Sequence, residues 1–229
     1  MFLQADDLIP HRGADMHLFR LDTSIRTTGS VSRELADDVE TAWLSEHPEG
    51  SVTRRDIGTS PLPVTSWIQA AGAGQTPPAE RTPAQAEAVA LAATLADEVL
   101  AADAILVATQ IYNYGVPAHL KTWVDLLITD PRLGPGVPQP LGGRPGILVV
   151  ARGGGYAPGT PREGWDHSTP WVRRILADVF GLDLKVVEAE LTLAEVNPAM
   201  ESLRPLAAQF RREAHQAAAE YGRGLAPVA

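Results

Sequence analysis

Residues 104–121 read AILVATQIYNYGVPAHLK. The first five, Ala104-Ile105-Leu106-Val107-Ala108, are apolar without alternation, the pattern of a strand buried on both faces of a parallel sheet. Polar and aromatic residues follow from Thr109 to Tyr114. Gly115 and Pro117 then break the regularity, and Leu120, Trp123, Val124, Leu127 and Ile128 recur at helical spacing. The stretch predicts a central strand, a loop at its carboxyl end and a covering helix.

The same unit repeats on either side. Upstream, Met16 to Leu21 reads as a strand and Leu35, Val39, Ala42 and Trp43 as a helical stripe, after which Ser51 to Ile57 forms a modest second strand. Pro61, Pro63, Gly72, Gly74, Pro77 and Pro78 mark 61–81 as a long irregular loop. A helix is expected from Thr82-Pro83, a cap residue followed by proline at the first helical position, with Ala88, Leu91, Leu95 and Val99 on one face. Downstream, strands are expected at Ile147 to Val150 and Leu184 to Val187, with helices around Val172 to Val179 and Leu203 to Phe210. Five strands alternating with five helices imply a three-layer α/β sandwich, because right-handed crossovers place helices on both faces of a parallel sheet. Its ligand is expected beyond the carboxyl ends of the strands, where strand order reverses. Residues 1–15 are expected to be a disordered extension or the product of an upstream start codon, 16–222 a single domain, and 223–229 a flexible tail.

Composition excludes several chemistries. The chain has no cysteine, so disulfides, thiolate nucleophiles and cysteine-bound metals are ruled out, and the cytoplasm is the default location. None of the six histidines falls in an HExxH spacing, and no metal site is expected. No apolar run approaches the roughly 20 residues of a membrane helix. A formal net charge of −9 with dispersed arginines argues against nucleic acid as a partner.

Three loops at strand ends carry the candidate chemistry. Thr23 to Ser32, rich in small hydroxyl residues, leads into a helix whose free amides and positive dipole end favour a phosphate, although serine there is also an ordinary cap. Tyr112 and Tyr114 flank Asn113 and offer walls for a planar ring. Gly153, Gly154 and Gly155 follow the fourth strand and are expected to let a ligand approach the backbone. This is not a dinucleotide fingerprint, since Pro158 stands where a third spaced glycine is needed.

Together these segments resemble the FMN-dependent NADH-azoreductase and NAD(P)H:quinone oxidoreductase family, whose flavodoxin-like members carry P-x-Y-N-F-x-x-P-x-x-L-K and S-R-G-G motifs. The resemblance spans about 16–210 and implies a flavodoxin-like sheet of order 2-1-3-4-5 that binds FMN. Carried over by position, Ser24, Ser30, Val31 and Ser32 resemble the phosphate loop, and Ile111, Tyr112, Asn113 and Tyr114 the flavin-ring loop. Ala151, Arg152, Gly153 and Gly154 resemble the segment meeting the flavin's pyrimidine side. Leu120-Lys121, Asp125 and Thr169-Pro170-Trp171 match further family positions. Gln110, Tyr114 and Ala151 replace the family's proline, phenylalanine and serine, and Asp130 to Gly134 replaces its Gly-x-Thr-Phe segment.

The resemblance implies that FMN supplies the chemistry and that no side chain is catalytic. NADH, or alternatively NADPH, would reduce the flavin, and a small aromatic acceptor (quinone, azo or nitroaromatic) would then take its place in a ping-pong cycle. The family's members are homodimers. Tyr156 and Leu133 are the expected substrate-pocket residues, with Asp130 to Gly134 leaving that side of the pocket open. Two other classes remain in view. Asp166-His167-Ser168 spells a hydrolase triad, but adjacent side chains diverge and no G-x-S-x-G elbow follows a strand. A non-enzymatic flavodoxin-like electron carrier or ligand-binding regulator fits the same loops.

Overall fold

The computed structural model describes residues 16–226. The extension proposed for 1–15 lies outside them. Strands β1 (His17–Asp22), β2 (Ser51–Asp56), β3 (Ala104–Gln110), β4 (Pro145–Ala151) and β5 (Asp183–Ala189) form one parallel sheet in the order β2-β1-β3-β4-β5. The helices are α1 (Val31–Glu46), α2 (Val64–Ala73), α3 (Pro83–Ala101), α4 (Ala118–Thr129), α5 (Thr169–Arg173), continued by a π-turn over Arg174–Val179, and α6 (Arg204–Arg223). Among the described residues no helix is long and apolar enough to cross a membrane.

The unbroken apolar strands work as their sequences require. β3 and β4 are buried at every residue. Alternate side chains divide between two cores: Leu18, Leu106, Ile147 and Val149 face α1 and α6, while Phe19, Ile105, Val107 and Leu148 face α3 and α4. Strand order reverses between β1 and β3, so their carboxyl ends open the crevice where such sheets take ligands.

Two expectations change. The stretch 61–81 is not an irregular loop, because it contains α2. Its prolines lie outside the helix; Pro63 occupies the cap, where a missing N–H costs nothing, and Ala70 and Ala73 pack inward. The predicted α3 start is real, since Thr82 and Gln85 form a reciprocal capping box. Of the stretch 223–229 expected as a tail, residues 227–229 lie outside the described residues; within the rest, Leu225 is buried and its carbonyl accepts a 3.0 Å hydrogen bond from the Trp43 indole.

Charge is buried beside β1. Arg20 pairs with Asp22, Asp37 and Glu40, and Glu40 also pairs with Arg54. Burial pushes the Asp22 carboxyl up despite Arg20 and Arg33. Burial alone would do the same to Glu40, but its bonds to Arg54 and Arg20 hold it low.

Candidate functional site

A cleft of about 240 Å³ opens at the carboxyl ends of β1, β3 and β4. Eight of the residues singled out in the sequence line it: Ser24, Ser30, Val31, Ser32, Ile111, Tyr112, Ala151 and Gly153. Arg26, Gly29, Gln110, Thr192 and Leu193 complete the walls. A larger groove of about 500 Å³ between α5 and β5 is lined mainly by charged residues from Arg152 to Glu188 and contains none of the hydroxyl or aromatic loops.

The first wall is the β1–α1 loop. Thr23 extends the sheet through a 3.0 Å bond from its amide to the Ala108 carbonyl, and the chain then turns with Gly29 at φ +62. Arg33, in the first turn of α1, fixes this turn by donating to the carbonyls of Ser24 (2.6 Å) and Arg26 (2.9 Å) and to Asp56 (2.9 Å). Burial would raise Asp56, but the hydrogen bonds from Arg33 and Thr59 bring it down to about 2. Gly58 closes the loop from behind: a Cβ there would stand 2.1 Å from the Ser24 carbonyl oxygen. Sequence reasoning missed Gly58, a position visible only once the β2 end is packed on the loop.

Among the described residues no side chain caps α1. The Ser30 hydroxyl contacts Ser32 Oγ at 3.4 Å rather than an amide of the first turn, so the helix's positive end and its serine hydroxyls face the cleft together. This is the arrangement that holds a phosphate. Arg26 adds a fixed positive charge at the cleft wall. Gln110 ties this wall to the next, donating to the Thr23 carbonyl at 3.0 Å and accepting from Ser32 Oγ at 3.5 Å.

The second wall is the β3–α4 loop. Tyr112 and Gly115 bond to each other across a tight turn whose central residues, Asn113 and Tyr114, both have positive φ (48 and 67). Such a turn needs left-handed residues at both centres, which asparagine tolerates and tyrosine does not. Tyr112 reaches back and its hydroxyl accepts from the Ile25 amide at 3.2 Å. Asn113 and Tyr114, next along the chain from Tyr112, stand outside the cleft lining and are exposed.

The third wall is the segment after β4. The carbonyls of Arg152, Gly153 and Gly154 accept from the amides of Thr192, Leu193 and Leu191, and among the described residues the Gly153 and Gly154 amides have no acceptor. The glycines are needed for a different reason than expected. A Cβ on Gly153 would meet Leu193 at 2.7 Å and one on Gly154 would meet Arg162 at 2.3 Å, so their bareness makes room for protein as well as ligand. Arg152 does not point to the cleft. Its guanidinium is buried in ion pairs with Asp166 (3.0 Å), Glu188 (2.7 Å) and Glu190 (3.0 Å), whose charges hold it protonated against the cost of burial.

Neither of the two expected pocket residues lines the cleft. Tyr156 is half-buried near Tyr114 and Arg162, its amide bonded to Glu190 and its phenol pushed up by burial. Leu133 belongs to the core under α4 and lines no part of the cleft. The Asp130 carboxylate gathers the Arg132 amide and guanidinium, sending Arg132 out to Asp97 and Leu133 inward. None of residues 130–134 lines the cleft. Asp166 accepts the Ser168 and Thr169 amides at 2.9 and 2.8 Å at the start of α5, and among the described residues the fully buried Ser168 Oγ has no partner and no triad is assembled.

Residues 16–214 match the family described as having the flavodoxin-like fold. Over 204 residues the chain is 38% identical to the FMN-dependent NADH:quinone oxidoreductase of Parafrankia sp., covering 88% of this chain and 96% of that protein. The chain belongs to the FMN-dependent NADH:quinone oxidoreductase family. The family member from Streptomyces avermitilis is 39% identical over 211 residues, covering 91% of this chain and 96% of its own. An azoreductase from Bacillus anthracis superposes with a TM-score of 0.73 over 92% of this chain and 99% of its own, at 23% identity, and shares the fold. In this oxidoreductase family the cleft has the features that FMN requires. An uncapped helix start with three serines suits the phosphate, and Ile111, Tyr112 and the Gly153 amide border the space beside it.

Proposed function

We propose that this chain binds FMN in the cleft at the ends of β1, β3 and β4 and uses it to reduce quinones and related aromatic acceptors with NADH. The observation that carries the reading is the uncapped N-terminus of α1, which shares one cleft with Ser24, Ser30, Ser32, Tyr112 and Gly153. The helix amides and serine hydroxyls hold the phosphate, with Arg26 adding charge, while Ile111, Tyr112 and the Gly153 amide hold the ring; Gly154, buried against Arg162, lies outside the cleft lining. When bound, FMN would supply the hydride transfer between NADH and a quinone, with the remaining proton of the hydroquinone coming from solvent and NAD⁺ as the other product. Free amides beside the ring stabilise negative charge on it without any acid–base side chain. Donor and acceptor would occupy the cleft in turn in a ping-pong cycle, with azo and nitroaromatic compounds as further acceptors.

The chain works as a homodimer in the cytoplasm. Val64, Trp67 and Ile68 form an exposed apolar stripe on α2, which supports pairing of two copies across this helix. Light scattering should give twice the chain's mass. Purified protein should take up FMN but not riboflavin or FAD with comparable affinity. NADH should then bleach the flavin and a quinone restore it. Flavin that is bound but stays oxidised with NADH would leave an electron carrier as the better reading, and absence of FMN uptake would defeat the proposal.

A further inference from the structure

Arg162 and Trp165 lie outside the cleft lining, yet both converge on Tyr114, which shares a turn with the cleft residue Tyr112. Tyr114 keeps a left-handed conformation that costs a residue with a side chain roughly 1–2 kcal/mol. Such strain persists where surrounding contacts over-determine it, and it concentrates at functional sites. Here the Tyr114 carbonyl accepts the His167 amide at 3.0 Å, and its ring meets Trp165 edge-on, centroids 5.3 Å apart. The Arg162 guanidinium lies over the same ring at 6.0 Å. All this contact leaves the tyrosine 39% and the tryptophan 51% exposed, so the strain presents aromatic surface to solvent rather than burying it.

Arg162 is fitted into the glycine loop. The space over Gly154, where a Cβ would come within 2.3 Å of Arg162 Nη1, is the space the guanidinium uses. Among the described residues Arg162 forms no ion pair, whereas nearby Arg152 has three carboxylate partners. An unneutralised guanidinium flanked by open aromatic faces, in a chain of net charge −9, is suited to a planar anion.

We propose that Arg162, Tyr114 and Trp165 recognise an anionic substituent, a sulfonate or carboxylate, on the aromatic acceptor. The rings take the acceptor's plane and the guanidinium takes its charge. The assignment rests on the flavin reading above and takes the acceptor to enter beside Tyr112, whose turn carries Tyr114.

Flavin retention by the wild-type protein is measured first; if none is retained, the flavin reading and this assignment fall together. The FMN-loaded protein is then titrated with naphthalene-2-sulfonate and with 2-naphthol, following tryptophan fluorescence. Arg162→Gln is expected to weaken the sulfonate about fivefold relative to the naphthol, the upper range for an exposed charge pair. Arg162→Lys should recover part of the preference, and ionic strength near 1 M, with a Debye length of about 3 Å, should shrink it in the wild type. The kcat/KM ratio of a sulfonated to an unsubstituted naphthoquinone should fall in parallel. An unchanged sulfonate-to-naphthol ratio in Arg162→Gln, with FMN retained, overturns the acceptor assignment alone. So does an effect confined to the KM for NADH, which would assign the charge to the donor.

Discussion

At the α1 end of the cleft the contacts come from main chain and small hydroxyls, and the loop is braced by Arg33, Asp56 and Gly58. At the Tyr114 end they come from large, half-open side chains carried on a strained turn and a glycine-rich segment. The first arrangement suits a constant ligand group such as a phosphate, which every turnover must hold. The second suits a ligand that changes from donor to acceptor. Substitutions at the first end should therefore act on cofactor binding and stability together, and those at the second on what is reduced.

The largest effect is expected from Gly58→Val. The new side chain would have to displace the Ser24 carbonyl, and with it the loop that Arg33 holds. We expect a loss of roughly 3 kcal/mol of stability, within the range for backbone and packing conflicts, and no measurable FMN uptake. Urea unfolding and flavin titration check both; normal FMN affinity would mean that the loop is free to move, and the contrast between the two ends would collapse.

Next in size is Ser30→Ala combined with Ser32→Ala. Hydrogen bonds to a charged group are worth roughly 1.5–3 kcal/mol each, so FMN should weaken by at least about tenfold. Riboflavin, lacking the phosphate, should change little. Equal losses for both flavins would show that the hydroxyls shape the loop rather than meet the phosphate.

The two ends also differ in how far they could be read from sequence. Uninterrupted apolar residues announced β3 and β4, and a run of serines ahead of a helical stripe announced the α1 site, because burial and helix polarity leave local marks. Arg152 and Leu133 were misplaced for the opposite reason. What turns Arg152 away is a set of acids brought from β5 and the start of α5, and what buries Leu133 is the grip of Asp130 on its neighbour. Gly58 and Leu193 reach the site only through packing between loops distant in sequence. The helix α2 was hidden because its flanking prolines resemble loop punctuation until their positions relative to the cap are known. The relation of Tyr114 to Arg162 and Trp165 spans about fifty residues and has no motif of its own.

A smaller effect, of opposite sign, is expected from Tyr114→Asn. Asparagine accepts the left-handed conformation far better, so relief of strain should outweigh the lost edge contact with Trp165. The protein should gain roughly 1 kcal/mol, or about 2–4 °C in Tm for a domain of this size. At the same time its affinity for aromatic acceptors should fall. A destabilised variant would mean that the turn is held by its ring contacts at no strain cost, and the Tyr114 end would lose its distinction from the α1 end.

The smallest effect concerns the brace itself and appears only in acid. Asp56 is lowered from its ordinary 3.8 to about 2: burial would raise it, but the bonds from Arg33 and Thr59 favour the charged form. A carboxylate lowered on folding contributes stability that is fully present above the unfolded value. That contribution is lost as pH falls through 3.8 toward 2 and is absent below both. Other carboxylates titrate in the same window, so the measurement is a difference, wild type minus Asp56→Asn, in urea-unfolding free energy. The difference should be constant from pH 7 to about 5 and shrink as pH falls below 4. Asparagine still offers an oxygen to Arg33 and to the Gly58 and Thr59 amides, so the loop should stay closed and FMN affinity near neutral pH should drop only about twofold to threefold, the scale of a part-exposed ion pair. A difference that does not vary with pH would remove Asp56 as the charge that fixes Arg33, and the rigidity of the α1 end would then rest on Gly58 and the Arg33 bonds to carbonyl oxygens alone.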